Sequence, residues 1–79
     1  MTVTELGRRV RASRKKSSLT QRDLASLAGV GTRFLSELES GKSTLEIGRV
    51  LRVVELLGLE LQLQERDWHS LQRDAHART

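Results

Sequence analysis

The sequence contains no cysteine and only two histidines, His69 and His76. Without cysteine the chain can form neither a disulfide bond nor a thiolate metal site, and two histidines are too few for a structural zinc site. We therefore expect no cofactor. Because a chain of 79 residues buries only about 60% of its extended surface, a lone monomer is expected to be marginally stable. Self-association is the expected source of additional burial.

Long apolar runs are also missing, since no more than two apolar residues stand together, as at Val53 and Val54. A membrane-spanning helix needs about 20 mostly apolar residues, so no segment is expected to cross a bilayer. Residues 1–5 lack the basic and apolar blocks of a signal peptide, and we expect a soluble, cytoplasmic protein.

No nucleophile–base pair or carboxylate pair stands out in so short a chain. Neither an enzyme nor a small-molecule substrate is expected.

Positive charge is in excess but is unevenly distributed. Residues 1–44 hold nine Lys or Arg against four Asp or Glu, whereas residues 45–79 hold five against six. The first part therefore carries +5 and the second −1, which together give the net charge of +4. This asymmetry indicates one end that faces a polyanion, such as a nucleic acid, and another end with a different role.

Apolar residues at helical spacing predict four helices. The first covers about residues 3–15 and begins at Thr2 and Glu5, which have the spacing of a capping box. The second begins after Thr20, a good N-cap, and ends at Gly29. The third resumes almost at once, after a break of only two residues.

The junction between the second and third helices, residues 29–31, is short and contains glycine. This arrangement is typical of a helix-turn-helix, whose second helix enters the DNA major groove. Ala25 is small enough for the two helices to approach closely, and Val30 is expected to fill the turn from inside. The third helix divides into an apolar inward face and a polar outward face near its positive N-terminal end. The inward residues are Phe34, Leu35 and Leu38, and the outward residues are Thr32, Arg33, Ser36 and Glu37.

The fourth helix is expected to begin at another capping-box spacing, Ser43 and Glu46, and to end at Gly58. Its interior contains Gly48, which weakens a helix by roughly 1 kcal/mol relative to alanine. We expect another backbone to pack closely at this glycine.

After Gly58 the apolar residues alternate strictly, at Leu59, Leu61 and Leu63, which predicts a strand over residues 59–64 with one apolar face. The alternative, that these residues prolong the fourth helix, is disfavoured by Gly58. A solitary strand leaves its backbone donors and acceptors unpaired, and the chain has no second strand candidate. The simplest partner is the same strand of a second copy, with the three leucines in the interface of a two-fold homodimer.

The chain therefore divides into a DNA-binding and dimerisation domain, residues 1–65, and a polar tail, residues 66–79, which is flexible or binds a partner. The tail contains the only tryptophan, Trp68. Tryptophan is enriched where proteins bind each other, so Trp68 either covers the dimer core or anchors another protein.

The runs LTQRDLA (19–25), AGV (28–30) and FLSELESGK (34–42) resemble the Xre/Cro-type helix-turn-helix family. The resemblance covers residues 5–58 and implies a mainly α, four-helix, lambda-repressor-like domain. The continuation through residues 43–45 and 57–61 is similar to the HipB-like antitoxins. That subgroup implies a dimer joined by a C-terminal strand, which represses its own operon and neutralises a HipA-type kinase toxin. The toxin partner rests on the resemblance alone.

The same resemblance implies roles for individual residues. The third helix reads the bases of a palindromic operator in duplex DNA, while flanking residues bind phosphates, and one ion pair ties the first helix to the third. The base-reading positions are Thr32, Arg33, Ser36 and Glu37; the phosphate positions are Gln21, Gly31, Lys42, Ser43 and Thr44; the structural ion pair is Arg14 with Glu39.

Three positions depart from the common pattern of the family. Gly31 stands where serine or lysine is usual, so one side-chain cap or contact is missing. Thr32 stands where glutamine is frequent, so bidentate reading of adenine is not assigned to it. Glu37 is an acid near the groove, which either accepts a hydrogen bond from cytosine N4 or repels phosphate and sharpens specificity. Arg33 is the expected reader of guanine, the alternatives being a phosphate contact or a solvated side chain.

Two alternatives to the antitoxin interpretation stay open. A stand-alone regulator differs only in its partners, and an adjacent kinase-like gene would favour the antitoxin. A protein-interaction module that has lost DNA binding is the other, and strongly salt-dependent DNA affinity would argue against it.

Direct DNA contact by the basic run of residues 8–16 is also undecided, because such runs are often solvated.

Overall fold

The computed structural model describes residues 1–65, and the polar tail with Trp68 lies outside the described residues. The described part consists of four helices joined by short turns, and it contains no strand. The helices are α1 (Val3–Lys16), α2 (Gln21–Ala28), α3 (Thr32–Glu39) and α4 (Ile47–Leu56). The expected mainly α, four-helix architecture is confirmed. None of these helices is long and apolar enough to cross a membrane.

The predicted start of α2 is confirmed by its hydrogen bonds. The Asp23 backbone N–H donates to Thr20 Oγ1 at 3.0 Å, and the Thr20 N–H donates to Asp23 Oδ2 at 3.2 Å. This reciprocal capping box satisfies two donors that the first turn of a helix leaves free. The start of α1 has the same threonine cap, since the Glu5 N–H donates to Thr2 Oγ1 at 3.1 Å.

The predicted start of α4 is wrong. The helix begins at Ile47, with Glu46 as its N-cap residue and no side-chain cap, rather than at a Ser43–Glu46 capping box. Ser43 lies in the turn that follows α3, too early in the chain to reach the first turn of α4. The Glu46 carboxylate instead contacts Arg49 Nε at 3.2 Å. The spacing was right for a capping box, but the turn after α3 holds Ser43 away from the N-cap position, which Glu46 occupies instead.

The core lies where the four helices meet, and each helix contributes one completely buried side chain. These are Val10, Leu24, Leu35 and Val53. Complete burial of such a side chain stabilises the fold by about 1.5–3 kcal/mol relative to leaving it exposed. Half-buried residues such as Phe34 and Val30 pack against this centre, as the helical spacing predicts. The core therefore holds α3 by its apolar face and leaves the other face to solvent.

The close approach of two backbones occurs at Gly7 in α1, not at Gly48 as expected. A Cβ atom at Gly7 would lie 2.9 Å from the carbonyl oxygen of Glu39, and still closer to that of Leu38. At Gly48 the nearest neighbour of a Cβ atom would be Glu46 Oε1, at an ordinary 3.8 Å. The absence of a side chain at Gly7 thus lets α1 lie directly against the end of α3.

The segment after α4 does not continue the helix. Gly58 adopts a left-handed conformation with φ +73°, and the Leu59 N–H donates back to the Val54 carbonyl at 3.0 Å, which closes the last turn. The helical alternative for residues 59–64 is therefore excluded. Within residues 1–65 the predicted strand has no partner, and it stays a prediction. Leu59 and Leu61 are partly exposed, and Leu63 is fully exposed.

Candidate nucleic-acid interface

The junction of α2 and α3 has the geometry of a helix-turn-helix. Gly29 ends α2 in the left-handed conformation, with φ +67°, and the Val30 N–H donates to the Ala25 carbonyl at 3.0 Å. Ala25 is buried, so the two helices pack closely at this point. The turn therefore sets α3 across α2 with its polar face outward.

The outward face of α3 presents the residues that were expected to read bases. Thr32, Arg33 and Ser36 are exposed, and 93% of the Arg33 side chain is accessible. Glu37 is the exception among the four, because only 25% of its side chain is accessible. Leu35 and Leu38 are buried on the opposite face, which keeps the helix in one rotational setting. The division into two faces matches the expectation from helical spacing.

The start of α3 carries no side-chain cap, as the glycine at this position implies. Gly31 is its N-cap residue, and the first turn contains no acidic residue. Backbone N–H groups at this end carry partial positive charge and attract anions or hydrogen-bond acceptors. Nothing lies within 4 Å of a Cβ built at Gly31, so the protein itself has room for a side chain there. The bare end of α3 faces outward beside Arg33.

A cluster centred on Glu39 joins α1, α2 and α3. Arg14 donates from Nε to Glu39 Oε2 at 2.7 Å and from Nη2 to Oε1 at 3.0 Å, and its Nη1 donates to the Leu19 carbonyl at 2.8 Å. The side chains of Arg14 and Glu39 are 10% and 4% accessible. The hydrogen bonds to Glu39 raise the pKa of Arg14 above its ordinary value. The pair has the position that the family resemblance implies.

Gln21, the expected phosphate contact at the start of α2, belongs to the same cluster. Its Nε2 donates to Glu39 Oε1 at 3.2 Å, which fixes the direction of the side chain. An amide nitrogen has two N–H groups, so one donor stays free for another acceptor. Gln21 is half-buried and lies at the edge of the helix-turn-helix.

A second cluster, centred on Glu37, lies on the outward side of α3. Arg33 Nε donates to Glu37 Oε1 at 3.1 Å, and Lys42 Nζ contacts Glu37 Oε2. The hydrogen bond from Lys42, assisted by the charge of Arg33, holds the pKa of the Glu37 carboxyl below its ordinary value. The sequence pattern placed Glu37 among the residues that meet DNA and did not indicate these two contacts. The spacing of Arg33 and Glu37, four residues apart, was the signal that could have found one of them.

The turn after α3 presents Lys42, Ser43 and Thr44 to solvent, as expected for a phosphate-binding loop. Gly41 begins it with φ +86°, and the Lys42 N–H donates to the Glu37 carbonyl at 3.0 Å. A Cβ at Gly41 would lie 3.0 Å from Thr4 Oγ1, so the turn packs against the first turn of α1. This contact keeps the turn beside the end of α3.

The basic run in α1 does not act as one unit. Arg14 is buried in the Glu39 cluster, whereas the other cations of the run are exposed: Arg8, Arg9, Arg11, Lys15 and Lys16. The exposed cations strengthen the positive potential of the domain. Arg14 contributes to the fold instead.

Comparisons with known proteins agree with this geometry. Residues 7–64 match the family model described as "Helix-turn-helix domain". The chain is 45% identical over 62 residues to a protein of Sinorhizobium fredii, "Uncharacterized HTH-type transcriptional regulator y4mF", and this match covers 78% of the chain and 82% of that protein.

Two solved structures share the fold. One is described as "MDT Protein" and the other as "Structure of HipA-HipB-O2-O3 complex". Each superimposes with a TM-score of 0.75 at 19% identity, over 85% of this chain and 94% of the matched chain. At this identity the likeness concerns the fold. The family match and the Sinorhizobium relative establish the family as well as the fold. Together with the helix-turn-helix geometry, they show that the chain belongs to the helix-turn-helix family of DNA-binding transcriptional regulators.

Proposed function

We propose that the chain is a dimeric transcriptional repressor that binds a palindromic operator, represses its own operon and serves as the antitoxin of a HipA-type kinase toxin. Repression needs no chemistry, because a dimer that occupies promoter DNA excludes other proteins from it. The observation that carries the DNA-binding part is the two-faced α3, which is held by a buried apolar face and presents an almost fully accessible Arg33.

In this proposal α3 enters the major groove with its bare N-terminal end. Arg33 donates two hydrogen bonds to guanine, the commonest specific contact in protein–DNA complexes. Thr32 and Ser36 meet neighbouring base edges. Around α3, phosphates are bound by the second N–H of Gln21, the backbone at Gly31 and the turn formed by residues 42–44. These contacts set the position of α3 on the duplex, whereas the base contacts set the sequence preference.

Dimerisation is supported by the apolar surface beside the C-terminal segment. Leu59 and Leu61 line an apolar groove of about 380 Å³, together with Leu6, Ala12 and Val54. Leu63 is fully exposed in the part of the chain that the structure describes, although it continues the same alternation. Pairing residues 59–64 with a second copy satisfies the free backbone groups and covers these leucines. The two copies of α3 then lie about 34 Å apart, the spacing of successive major grooves.

Replacing Leu61 with lysine tests the dimer. The charge would be buried between two copies, so we expect monomers in analytical ultracentrifugation and weaker operator binding. Gln62→Lys, one residue later, exposed and on the polar side of the alternation, is the matched control and is expected to stay dimeric. An intact Leu61→Lys dimer would refute the strand model.

The antitoxin role rests on the resemblance to the HipB-like antitoxins. It is supported by the fold shared with a chain of the HipA-HipB-O2-O3 complex and by the matching C-terminal run of residues 57–61. In this proposal Trp68, in the polar tail, contacts the toxin. Purification of the chain from its native host, with identification of bound proteins and sequencing of bound DNA, tests the whole proposal. Recovery of a kinase-like protein and a palindrome supports it, whereas a palindrome without a kinase leaves a stand-alone regulator.

A further inference from the structure

One carboxylate, that of Glu37, joins the two ends of the proposed DNA surface. It accepts a hydrogen bond from Arg33, one turn earlier in α3, and contacts the ammonium of Lys42, just beyond the end of α3. Arg33 is the proposed base reader and Lys42 a proposed phosphate contact. Glu37 thus contacts one residue proposed to read a base and one proposed to bind a phosphate.

The backbone strengthens this arrangement on the Lys42 side. Gly41 turns the chain back over α3, and the Lys42 N–H donates to the Glu37 carbonyl while the Gly41 N–H donates to the Leu38 carbonyl, each at 3.0 Å. These two bonds form a Schellman motif, which fixes the residue after the glycine above the last turn. Lys42 is therefore tied to Glu37 by its backbone and by its side chain.

Accessibility decides between the two roles that the sequence left open for Glu37. Its side chain is 25% accessible, against 93% for Arg33 and 49% for Lys42. The carboxylate lies lower on the surface than the cations, and both of its oxygens already have partners. A direct contact to cytosine would require it to leave both partners. The geometry favours support of the neighbouring cations.

We propose that Glu37 is a positioning residue, which orders Arg33 and Lys42 before DNA arrives and weakens binding to DNA of the wrong sequence. The inference rests on the proposed function and names the residue that sets its specificity. Side chains that are ordered in advance lose less entropy on binding. The negative charge of Glu37 also offsets one of the two positive charges that Arg33 and Lys42 place at the surface. Phosphates alone are then held less strongly, whereas a matched base still receives the Arg33 hydrogen bonds.

The variant Glu37→Gln tests this, because it keeps the shape and removes the charge. Glu46→Gln is the matched control, since it removes the same charge from a carboxylate that contacts Arg49 outside α3. Affinity is measured for the operator recovered by sequencing bound DNA and for a scrambled duplex, over a range of salt concentrations. We expect Glu37→Gln to bind the scrambled duplex more tightly and to lower the ratio of operator to scrambled affinity about tenfold, comparable to losing one base contact. Glu46→Gln is expected to leave the ratio unchanged.

A double-mutant cycle with Arg33→Ala separates positioning from a direct base contact. If Glu37 acts through Arg33, Glu37→Gln changes base preference in the wild-type background but has little further effect once Arg33 is absent. If the two substitutions lower the ratio of operator to scrambled affinity additively, the inference is overturned and the proposed function stays intact. The same holds if the wild-type protein is specific but Glu37→Gln leaves that ratio unchanged. A wild-type protein that prefers no sequence overturns both. Circular dichroism of each variant verifies folding, and glutamine and glutamate have similar helix propensity.

Discussion

The two sides of α3 carry carboxylates only two residues apart, yet their surroundings differ. Glu39 faces α1, where protein covers it almost completely and Arg14 binds both of its oxygens. Glu37 faces outward, where its partners Arg33 and Lys42 extend into solvent. A buried pair cannot lose one member without leaving an unpaired charge, whereas exposed cations can exchange partners at little cost. Burial therefore separates the ion pair that holds the domain together from the one that lies on the proposed DNA surface.

The largest effect is expected from breaking the buried pair. Glu39→Gln leaves the Arg14 guanidinium buried without its counter-charge and is expected to lower the free energy of unfolding by about 3–5 kcal/mol. Urea denaturation followed by circular dichroism measures this loss. The control is Glu46→Gln, which removes an exposed pair worth about 1 kcal/mol or less. Equal losses in the two variants would show that burial makes no difference between these pairs.

A second change disturbs the same side of α3 without touching charge. Gly7→Ala places a methyl group against the Leu38 and Glu39 carbonyl oxygens, and such overpacking is expected to cost about 1–3 kcal/mol. Gly48→Ala is the matched control. It lies on an exposed part of α4, where a Cβ atom would meet only Glu46 Oε1 at an ordinary 3.8 Å, so the higher helix propensity of alanine should stabilise the protein by up to about 1 kcal/mol. Thermal unfolding distinguishes the two, and a stabilising Gly7→Ala would contradict the close contact of α1 and α3.

On the outward side, Arg33→Ala is expected to affect DNA and spare the fold. Operator binding should weaken by about 1–3 kcal/mol, with relaxed preference at one base pair, because two hydrogen bonds to a base are lost. The free energy of unfolding should change by no more than about 0.5 kcal/mol, since the side chain is almost fully accessible. Gel-shift titration and urea denaturation measure the two quantities. Wild-type affinity in Arg33→Ala would remove Arg33 from the interface.

The smallest effect is a dependence of stability on pH. The backbone N–H and hydroxyl of Thr20 hold the pKa of Asp23 below its ordinary value, as Lys42 does for the pKa of Glu37. A carboxyl whose pKa is lower in the folded state stabilises the fold above its unfolded pKa, and this contribution disappears as the pH falls through the folded pKa. Stability should therefore decline below about pH 4. Denaturation at a series of pH values should show a shallower decline for Asp23→Asn, and identical curves would contradict the capping interaction.

The features that were predicted correctly depend on neighbours in the chain. The N-cap at Thr20, the left-handed Gly29 and the inward face of α3 follow from residues within about one turn of each other. The errors concern features that the local spacing does not reveal. Nothing near Gly7 indicates that α3 will lie against it, and the spacing of Ser43 and Glu46 does not show that Ser43 lies in a turn ahead of the N-cap residue of α4.

The candidate site divides in the same way. The accessible face with Arg33 follows from helical periodicity, and the Arg14–Glu39 pair was implied only by the family resemblance, because its members are 25 residues apart. The contact of Glu37 with Lys42 was missed because it depends on the reversal of the chain at Gly41. Periodicity gives the face on which a residue lies but not the partner that it meets there.

The proposed function requires the outward side of α3 to read a specific DNA sequence. Titration of the wild-type protein with its recovered operator and with a scrambled duplex, at one physiological salt concentration, tests it most directly. Specific regulators prefer their site by about a thousandfold or more, and we expect a preference of that order that falls in Arg33→Ala. Equal affinity for the two duplexes would contradict the account.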